Sequence, residues 1–184
     1  DICPYYLAQE LARWADVVVA DVNYYFDVQA LLHAYALQEG WHTALLVDEA
    51  HNLVERARSM YSSELNEATW REAASGAAPA LQRSLRRSRA FWRALRDASC
   101  GVWLDELPAS CLAILQRLTS EMLDHFAEHA ASLAQQRLLF DITAFTHLAQ
   151  ELAGHSALEW QSQSGQLKLH NLIPADWLRR RWQH

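Results

Sequence analysis

The sequence is poor in the residues that mark unusual classes of protein. Its 184 residues include only 5 glycines and 4 prolines, and 51% are hydrophobic, which excludes a collagen-like, low-complexity or disordered chain. It has no uninterrupted apolar run of about 18 residues, so we expect no membrane span. Cys3, Cys100 and Cys111 are too few for a closed disulfide framework and favour a reducing compartment. The chain begins at Asp1 without the features of a signal peptide, and we expect it to be a piece of a longer protein.

Positive charge is also scarce and unevenly distributed. There are 16 basic against 22 acidic residues, giving a formal net charge of -6, and Lys168 is the single lysine. An acidic chain binds nucleic acid poorly without a local basic surface. Local basic stretches would therefore have to carry any such binding, and residues 73–96 are one of them, with six arginines and no acidic residue.

Two short apolar runs near the start of the chain have the length of buried strands. The first covers residues 17–21 (Val-Val-Val-Ala-Asp) and the second covers residues 44–48 (Ala-Leu-Leu-Val-Asp). Between them, apolar residues at helical spacing predict a helix over 28–39 that ends at Gly40. Strand, helix and strand in this order are typical of a βαβ unit in a buried parallel sheet.

The middle of the chain has only helical patterns. Residues 63–155 contain no strand-like run, and Pro108 can begin one of the helices. The apolar stripes are Leu81, Leu85, Ser88, Trp92 and Leu95; Leu115, Leu118, Met122, Phe126 and Leu133; and Leu138, Ile142, Phe145, Ala149 and Leu152. We therefore expect an all-helical insertion here.

The last block alternates apolar and polar residues around Ser164-Gly165, which predicts a β-hairpin followed by a basic helical end at Arg179–Arg181. The predicted fold class is α/β with a large all-α insertion: part of a parallel-sheet domain in residues 1–62, a helical insertion in 63–155, and a return to the first domain in 156–184.

The residues that follow the second apolar run have the chemistry of a nucleotide site. Asp48 and Glu49 come where a buried strand would end, which is the edge of an open α/β sheet that binds ligands. One carboxylate there can hold Mg²⁺ while its neighbour orients the water that attacks a phosphate. The alternative is an ordinary acidic loop in which Glu49 and His51 are solvated. The complete apolar strand before the pair favours a nucleoside triphosphatase site.

These residues carry a family resemblance. Asp48-Glu49-Ala50-His51 is the DEAH box of superfamily-2 helicases, and the stretches around Cys3-Pro4-Tyr5-Tyr6 and residues 15–24 resemble the XPD/DinG family of iron–sulfur DNA helicases, in its bacterial branch. The likeness covers about the first 60 residues. The helical middle lies where that family inserts its Arch domain, and the residues after 156 resemble the motor domain resuming.

The resemblance implies a role for several residues. Asp48 would be the Mg²⁺ ligand, Glu49 the base that activates water, and His51 the residue that couples the nucleotide to DNA contacts. Cys3 would be the last of four thiolate ligands of a [4Fe–4S] cluster. The family moves 5′ to 3′ along single-stranded DNA by hydrolysing ATP, acts in DNA repair or replication, and would place the protein in the bacterial cytoplasm at the nucleoid.

Two parts of such an enzyme are missing from this sequence. None of the five glycines precedes a lysine, so there is no loop to cradle the phosphates of ATP. Cys100 and Cys111 form no Cys-x-x-Cys pair, and a cluster needs about four thiolates. We therefore expect an inactive fragment that holds no cluster by itself.

Two further groups of residues are candidates for DNA contact. Arg86, Arg89, Arg93 and Arg96 share one side of a predicted helix, where guanidinium groups can bind phosphates and stack on bases; the alternative is a solvated helix face. Asn23 and Tyr24 follow the first apolar run and can bind a phosphate and stack on a base, or serve as a turn residue and a packed aromatic.

Other constellations have simpler explanations. His125 and His129 have metal-ligand spacing on a helix, but an exposed polar face explains them better than a zinc site. The sequence therefore predicts a piece of an ATP-dependent DNA helicase that partners single-stranded DNA. The competing hypothesis is a non-catalytic helical module that binds repair or replication proteins and neither ATP nor DNA; a standalone nucleotide-binding protein is disfavoured by the missing phosphate loop.

Overall fold

The computed structural model describes residues 4–98, 102–104, 106–151 and 155–182, a mixture of helices and one antiparallel sheet. The helices are α1 (Pro4–Ala12), α2 (Asn23–Phe26), α3 (Leu31–Glu39), α4 (Leu53–Met60), α5 (Glu67–Ala74), α6 (Pro79–Ser88), α7 (Ala90–Ala98), α8 (Ala109–Glu128), α9 (Leu133–Gln150) and α10 (Ala175–Trp182). The strands are β1 (Ser63–Asn66), β2 (Trp103–Leu104), β3 (Ser156–Gln161) and β4 (Gln166–Asn171). Across those residues, none of the helices has both the length and the apolar character needed to cross a membrane.

The chain divides into two compact units. Unit 1 comprises Asp1–Tyr61 and Ile173–His184, and unit 2 comprises Ser62–Leu172. The sequence placed its second boundary at 155/156, whereas the structural boundary lies at 172/173, so the β-hairpin belongs to unit 2.

Unit 1 is built from α1–α4 and α10, and its core lies around the ring of Tyr61. This ring is fully buried and stacks on Trp177 of α10 with ring centroids 5.0 Å apart. The Tyr61 hydroxyl donates a 2.6 Å hydrogen bond to the carbonyl of Phe26 at the end of α2. Arg181 of α10 donates a 2.7 Å hydrogen bond to the next carbonyl, that of Asp27. Residues far apart in sequence therefore hold the end of α2 in place.

The predicted helix over 28–39 is present as α3, which begins later, at Leu31, and its end follows from Gly40. Gly40 adopts the left-handed conformation with a φ of 65°, which a residue without a Cβ reaches at little cost. The amide of Trp41 then bonds back to the carbonyl of Ala36 at 2.9 Å, which completes the helix terminus.

The two apolar runs of unit 1 are not strands in the structure. Residues 17–21 and 44–47 have no regular secondary structure, and the described residues contain no parallel strand pair. Val19 is 95% exposed and Leu46 is fully exposed. The prediction of paired strands is therefore wrong for the described residues. An apolar, β-branched run favours a strand, but a strand also needs a neighbouring strand to hydrogen-bond with, and its own sequence does not provide one.

The sheet of unit 2 has the order β1-β4-β3-β2, with every neighbouring pair antiparallel. The predicted hairpin is confirmed as β3 and β4, which pair Trp160 with Leu167 across the ladder. Gly165 in its turn has a φ of 64°, and a Cβ there would lie only 2.9 Å from a carboxylate oxygen of Glu67. The sheet therefore has a glycine where both conformation and space require one.

The sheet packs against α5, α7 and α9, and α6 and α8 complete the core of unit 2 by packing on these helices. Trp70, Trp92 and Trp160 are buried together with Phe91, and the indoles of Trp92 and Trp160 stack with centroids 5.8 Å apart. The predicted apolar stripes supply most of the remaining core: Leu81, Leu85, Leu95, Leu115, Leu118, Met122, Leu138, Ile142 and Phe145. The core of unit 2 therefore follows the periodicity of its helices.

Three details of the middle block differ from the sequence prediction. The block includes two strands, β1 and β2, that were not predicted. The sequence does not reveal β1, because Ser63–Asn66 has a single apolar residue and gives no strand signal alone. The first stripe spans two helices, α6 and α7, that are separated at Arg89. Leu133 belongs to α9 and not to the second helix, because Ser132 and Gln135 form a capping box that starts a new helix there.

The two ends of unit 2 lie on adjacent strands. Ser63 of β1 is the ladder partner of Leu169 on β4. Just before β1, the hydroxyl of Ser62 accepts a 2.9 Å hydrogen bond from the amide of Asn171, the last residue of β4. The chain therefore enters and leaves this unit at the same place.

Candidate functional site

The acidic pair lies in a tight turn between a segment without regular secondary structure and a helix. Glu49 has a φ of 50° and a ψ of 39°, and it is the one non-glycine residue with positive φ among those described. Its carbonyl accepts a 2.9 Å hydrogen bond from the amide of Asn52, which closes a 3-10 turn over Ala50–Asn52. The turn continues directly into α4. A left-handed backbone at a charged residue carries strain, which is common at functional sites.

The three side chains predicted to act together do lie in this one turn. The Asp48 carboxylate accepts a 2.9 Å hydrogen bond from the amide of Glu49. The Nδ1 atom of His51 lies 3.2 Å from a carboxylate oxygen of Glu49, an ion-pair distance when the imidazole is protonated. All three side chains are exposed. They do not lie at a sheet edge in the described part of the chain, because the segment before them is unpaired.

The donor set of the turn fits Mg²⁺ in kind. Mg²⁺ takes oxygen ligands, keeps several waters, and is usually held by one or two carboxylates together with the phosphates of a nucleotide. Asp48 and Glu49 supply two such carboxylates. No cluster of three or more potential metal-ligating side chains occurs among the described residues.

The structure does not test the proposed role of Cys3 as a ligand of an iron–sulfur cluster. Cys3 and Cys100 lie outside the described residues. Cys111 is fully buried in α8, and burial raises the pKa of its thiol to about 11. Since thiolates are the ligands and nucleophiles of cysteine chemistry, Cys111 is a packing residue.

Asn23 and Tyr24 form the exposed first turn of α2 in unit 1. The backbone amide of Asn23 donates a 3.0 Å hydrogen bond to the Asp21 carboxylate, and the amide of Tyr24 donates a 3.0 Å bond to the Asp21 carbonyl. Asp21 therefore fixes the backbone that presents both side chains. Tyr24 is 43% exposed, and Tyr25 and Phe26 of the same helix point into the core.

Asp21 is also bound by an arginine from the helix that follows the acidic turn. The Nη1 atom of Arg56 lies 3.2 and 3.1 Å from the two carboxylate oxygens of Asp21. The amide of Asn23 and the guanidinium of Arg56 together lower the pKa of Asp21. Sequence reasoning missed Arg56, because its partner lies 35 positions away and no local pattern joins them.

The predicted arginine face lies on α6 and α7 of unit 2. All four arginines of the prediction, Arg86, Arg89, Arg93 and Arg96, are exposed, as are their neighbours Arg83 and Arg87. The large apolar residues of the same helices are buried, so the side that carries the arginines faces solvent. This arrangement suits contact with an extended anion as well as simple solvation.

Some of these arginines already have partners inside unit 2. Arg87 binds Glu121 at 2.7 Å and Arg96 binds Glu67 at 2.5 Å. Partial burial acts to raise the pKa of Glu121, but the hydrogen bonds from Ser84 and Arg87 outweigh it, so the pKa is lowered. The side chains of Arg89 and Arg93 make no hydrogen bond or ion pair with any residue that the structure describes.

The histidine pair of α8 does not form a metal site with its acidic neighbours. The rings of His125 and His129 stack with centroids 4.4 Å apart and planes within 8° of parallel. No third ligand completes a cluster with them within the described ranges. His125 is half-buried and His129 is exposed, at the end of α8.

Comparison with known proteins bears on the first unit. Residues 1–69 match the family model DEAD_2. The match supports a DEAD-like helicase family. This helicase-like segment contains the whole Asp48–His51 box, as well as Asn23, Tyr24 and Arg56, and it indicates a helicase-related role. A search of curated proteins finds no match to the chain.

Proposed function

We propose that this chain is a piece of an ATP-dependent DNA helicase of the XPD/DinG type, and that it contributes the DEAH box to the motor domain. The observation that carries the proposal is the DEAD_2 match over residues 1–69, which contains the sequence Asp48-Glu49-Ala50-His51. The proposed activity is movement 5′ to 3′ along single-stranded DNA in repair or replication, in the bacterial cytoplasm at the nucleoid.

The acidic turn has the chemistry for its proposed roles. Asp48 would hold Mg²⁺, which supplies positive charge against the phosphates of ATP when bound. Glu49 would orient and deprotonate the attacking water, and His51 would connect the nucleotide to DNA contacts. The exposure of all three side chains and the short distance from Glu49 to His51 support this assignment.

The rest of the nucleotide site would come from the remainder of the longer protein, here called the parent. The exposed apolar runs of unit 1 support this reading. Val19 and Leu46 have the character of residues in a parallel sheet that is covered on both faces, yet they lie in solvent. Sheet neighbours from the parent would cover them, supply the phosphate loop, and complete a [4Fe–4S] cluster with Cys3.

Unit 2 would be the Arch-like insertion of the helicase, with its arginine face guiding DNA. Arg89 and Arg93 are the strongest candidates for DNA contact, because they are exposed and pair with no described residue. Arg86 and Arg96 would contribute less readily, because Gln82 and Glu67 already bind their guanidinium groups. Asn23 and Tyr24 would form a second DNA contact in the motor domain.

The decisive test is Glu49→Gln in the full-length parent. We expect the rate of ATP hydrolysis to fall by about 10²–10⁴-fold, because the substituted amide cannot accept the proton of the attacking water. Nucleotide binding, measured with a fluorescent ATP analogue, should change little. Glu55→Gln, on the helix immediately after the turn, is the matched control and should keep normal turnover. Normal turnover in Glu49→Gln would exclude Glu49 as the base.

A second candidate function is a helical module that binds a repair or replication protein and neither ATP nor DNA. The ion pairs of Arg87 and Arg96 with glutamates favour it, because they neutralise part of the arginine face within unit 2. Fluorescence anisotropy of this chain with labelled single-stranded DNA at two salt concentrations separates the two functions. Salt-sensitive binding supports the helicase assignment of unit 2, and the absence of binding favours the module.

The same titration tests the arginine face directly. Substituting Arg89→Ala with Arg93→Ala should weaken binding and reduce the salt slope by about 1.4, the value for two phosphate contacts on a single strand. Arg71→Ala with Arg117→Ala removes the same charge from other helices of unit 2 and should have a smaller effect. An unchanged slope in the first variant would remove this face from the DNA path.

A further inference from the structure

The acidic turn of unit 1 is joined to α4 without an intervening loop. The carbonyl of Glu49 binds the amide of Asn52, and the amide of Leu53, the first residue of α4, binds the carbonyl of Ala50. Because these hydrogen bonds are consecutive, a change in the backbone at Glu49 must also move the start of α4.

The helix α4 contacts the region of α2 at two points. Near its start, Arg56 binds both carboxylate oxygens of Asp21 at 3.2 and 3.1 Å. Just after its end, the hydroxyl of Tyr61 donates to the carbonyl of Phe26 at 2.6 Å. The first contact holds the beginning of α2, where Asn23 and Tyr24 lie, and the second holds its end.

The two contacts have different energetic characters. The Tyr61 hydroxyl is buried, so its hydrogen bond anchors α2 as part of the core. The Arg56–Asp21 pair is about half exposed on both sides, and exposed pairs contribute about 0–1 kcal/mol to stability. Stability alone therefore gives a weak reason for this pair, whereas its position links the acidic turn to the presentation of Asn23 and Tyr24.

We propose that Asp21 and Arg56 are positioning residues that transmit the state of the Asp48–His51 turn to the DNA-facing start of α2. The inference rests on the proposed helicase function. A shift of α4 that follows a change at the turn would pull on Asp21 through Arg56. Since Asp21 accepts hydrogen bonds from the backbone amides of both Asn23 and Tyr24, both side chains would move with it.

The experiment measures ATP hydrolysis by the full-length parent with and without single-stranded DNA. Asp21→Asn keeps an oxygen that can accept from the amide of Asn23 but removes the negative charge, so it isolates the ion pair. Arg56→Gln removes the other partner, and Arg56→Lys keeps the charge. Glu55→Gln is the control, because it breaks the neighbouring Glu55–Arg58 pair on the same helix.

We expect Asp21→Asn and Arg56→Gln each to keep the basal rate of hydrolysis while lowering the stimulation by DNA about fivefold or more. The double variant should be no worse than either single variant, because both changes remove the same link. Arg56→Lys should recover much of the stimulation, and Glu55→Gln should behave as wild type. Since the unchanged basal rate reports a folded motor, a merely structural role would not produce this pattern.

Three outcomes overturn the inference, and they are distinguishable. If the wild-type parent hydrolyses ATP in a DNA-stimulated manner and the single variants do the same, the coupling role is wrong while the proposed function stands. Additive losses in the double variant have the same consequence, because they show that the two residues act separately. If the wild-type parent does not hydrolyse ATP, the proposed function itself fails.

Discussion

The two units of this chain differ in how they bury their apolar residues. In unit 2 the large side chains of the core are enclosed: Trp70, Trp92 and Trp160 are at most 2% exposed, although Trp103 and Phe140 lie in solvent. In unit 1 several equally apolar side chains lie in solvent, including Val19, Leu46 and Trp14, which is 87% exposed. The exposed side chains of unit 1 are as apolar as the buried ones of unit 2, so hydrophobicity alone does not explain the difference.

The difference reflects which residues are available to cover the apolar side chains of each unit. The helices of unit 2 cover one another and one face of their sheet, so their apolar stripes are satisfied within residues 62–172. The apolar runs of unit 1 have no paired neighbour among the described residues. A periodic helix carries one buried face that a few neighbours can cover, whereas a strand buried on both faces needs a whole sheet and two layers around it.

The largest expected contrast comes from the same substitution in the two units. Leu167→Ala in β4 removes a fully buried side chain and should lower the free energy of unfolding by about 2–5 kcal/mol. Leu46→Ala removes a fully exposed side chain and should change it by less than about 0.5 kcal/mol. Urea unfolding followed by circular dichroism measures both. Equal losses would show that Leu46 is buried in solution and that the contrast between the units is wrong.

A smaller effect is expected from Tyr61→Phe, which tests whether unit 1 has a core of its own. The change removes the hydrogen bond to the Phe26 carbonyl and should cost about 1–3 kcal/mol, because the carbonyl loses its partner. Hydrogen exchange of the amides in α2 and α4 measures the loss. Tyr35→Phe in α3 is the matched control. Unchanged exchange in Tyr61→Phe would mean that the hydroxyl does not hold α2.

Tyr61 also gives unit 1 a dependence on alkaline pH. Burial raises the pKa of its hydroxyl, so the folded state keeps the proton to higher pH than the unfolded state does. The associated stability is complete below the unfolded pKa of about 10 and is lost as the pH rises through the folded value. Tyr61→Phe should remove this part of the alkaline loss, which urea titrations at several pH values can follow.

The smallest expected effect concerns the start of α9 in unit 2. Ser132→Ala removes one half of the capping box with Gln135 and should cost about 1 kcal/mol. Ser120→Ala, in the exposed middle of α8, is the control, because no helix terminus depends on it. Both are measured by urea unfolding. Equal effects would show that the cap does not stabilise α9.

The sequence predicted those elements whose signals are local. Gly40 marks the end of α3, the alternation around Gly165 predicts the hairpin, and the apolar stripes predict the helices of unit 2. It missed β1, because Ser63–Asn66 becomes a strand only through its pairing with β4 a hundred residues later. It overpredicted strands at 17–21 and 44–48, because strand propensity does not supply a pairing neighbour.

Part of the candidate site could likewise be predicted from local sequence. Asp48, Glu49 and His51 are close in sequence and meet in one turn. The pairing of Arg56 with Asp21 depends on how α4 packs in unit 1, and no pattern of residue spacing reports it. The sequence does not reveal the ion pairs of Arg87 and Arg96 either, since Glu121 lies on α8 and Glu67 on α5.

The hydrogen bond between Ser62 and Asn171 has a consequence for how such a chain could evolve. A unit whose entry and exit touch each other can be spliced into a host loop without forcing the two sides of that loop apart. The same geometry would let residues 62–172 be replaced by a short peptide, or transplanted into an unrelated scaffold, as a single cassette. The whole unit can therefore be inserted or deleted in evolution while the polypeptide on either side keeps its path.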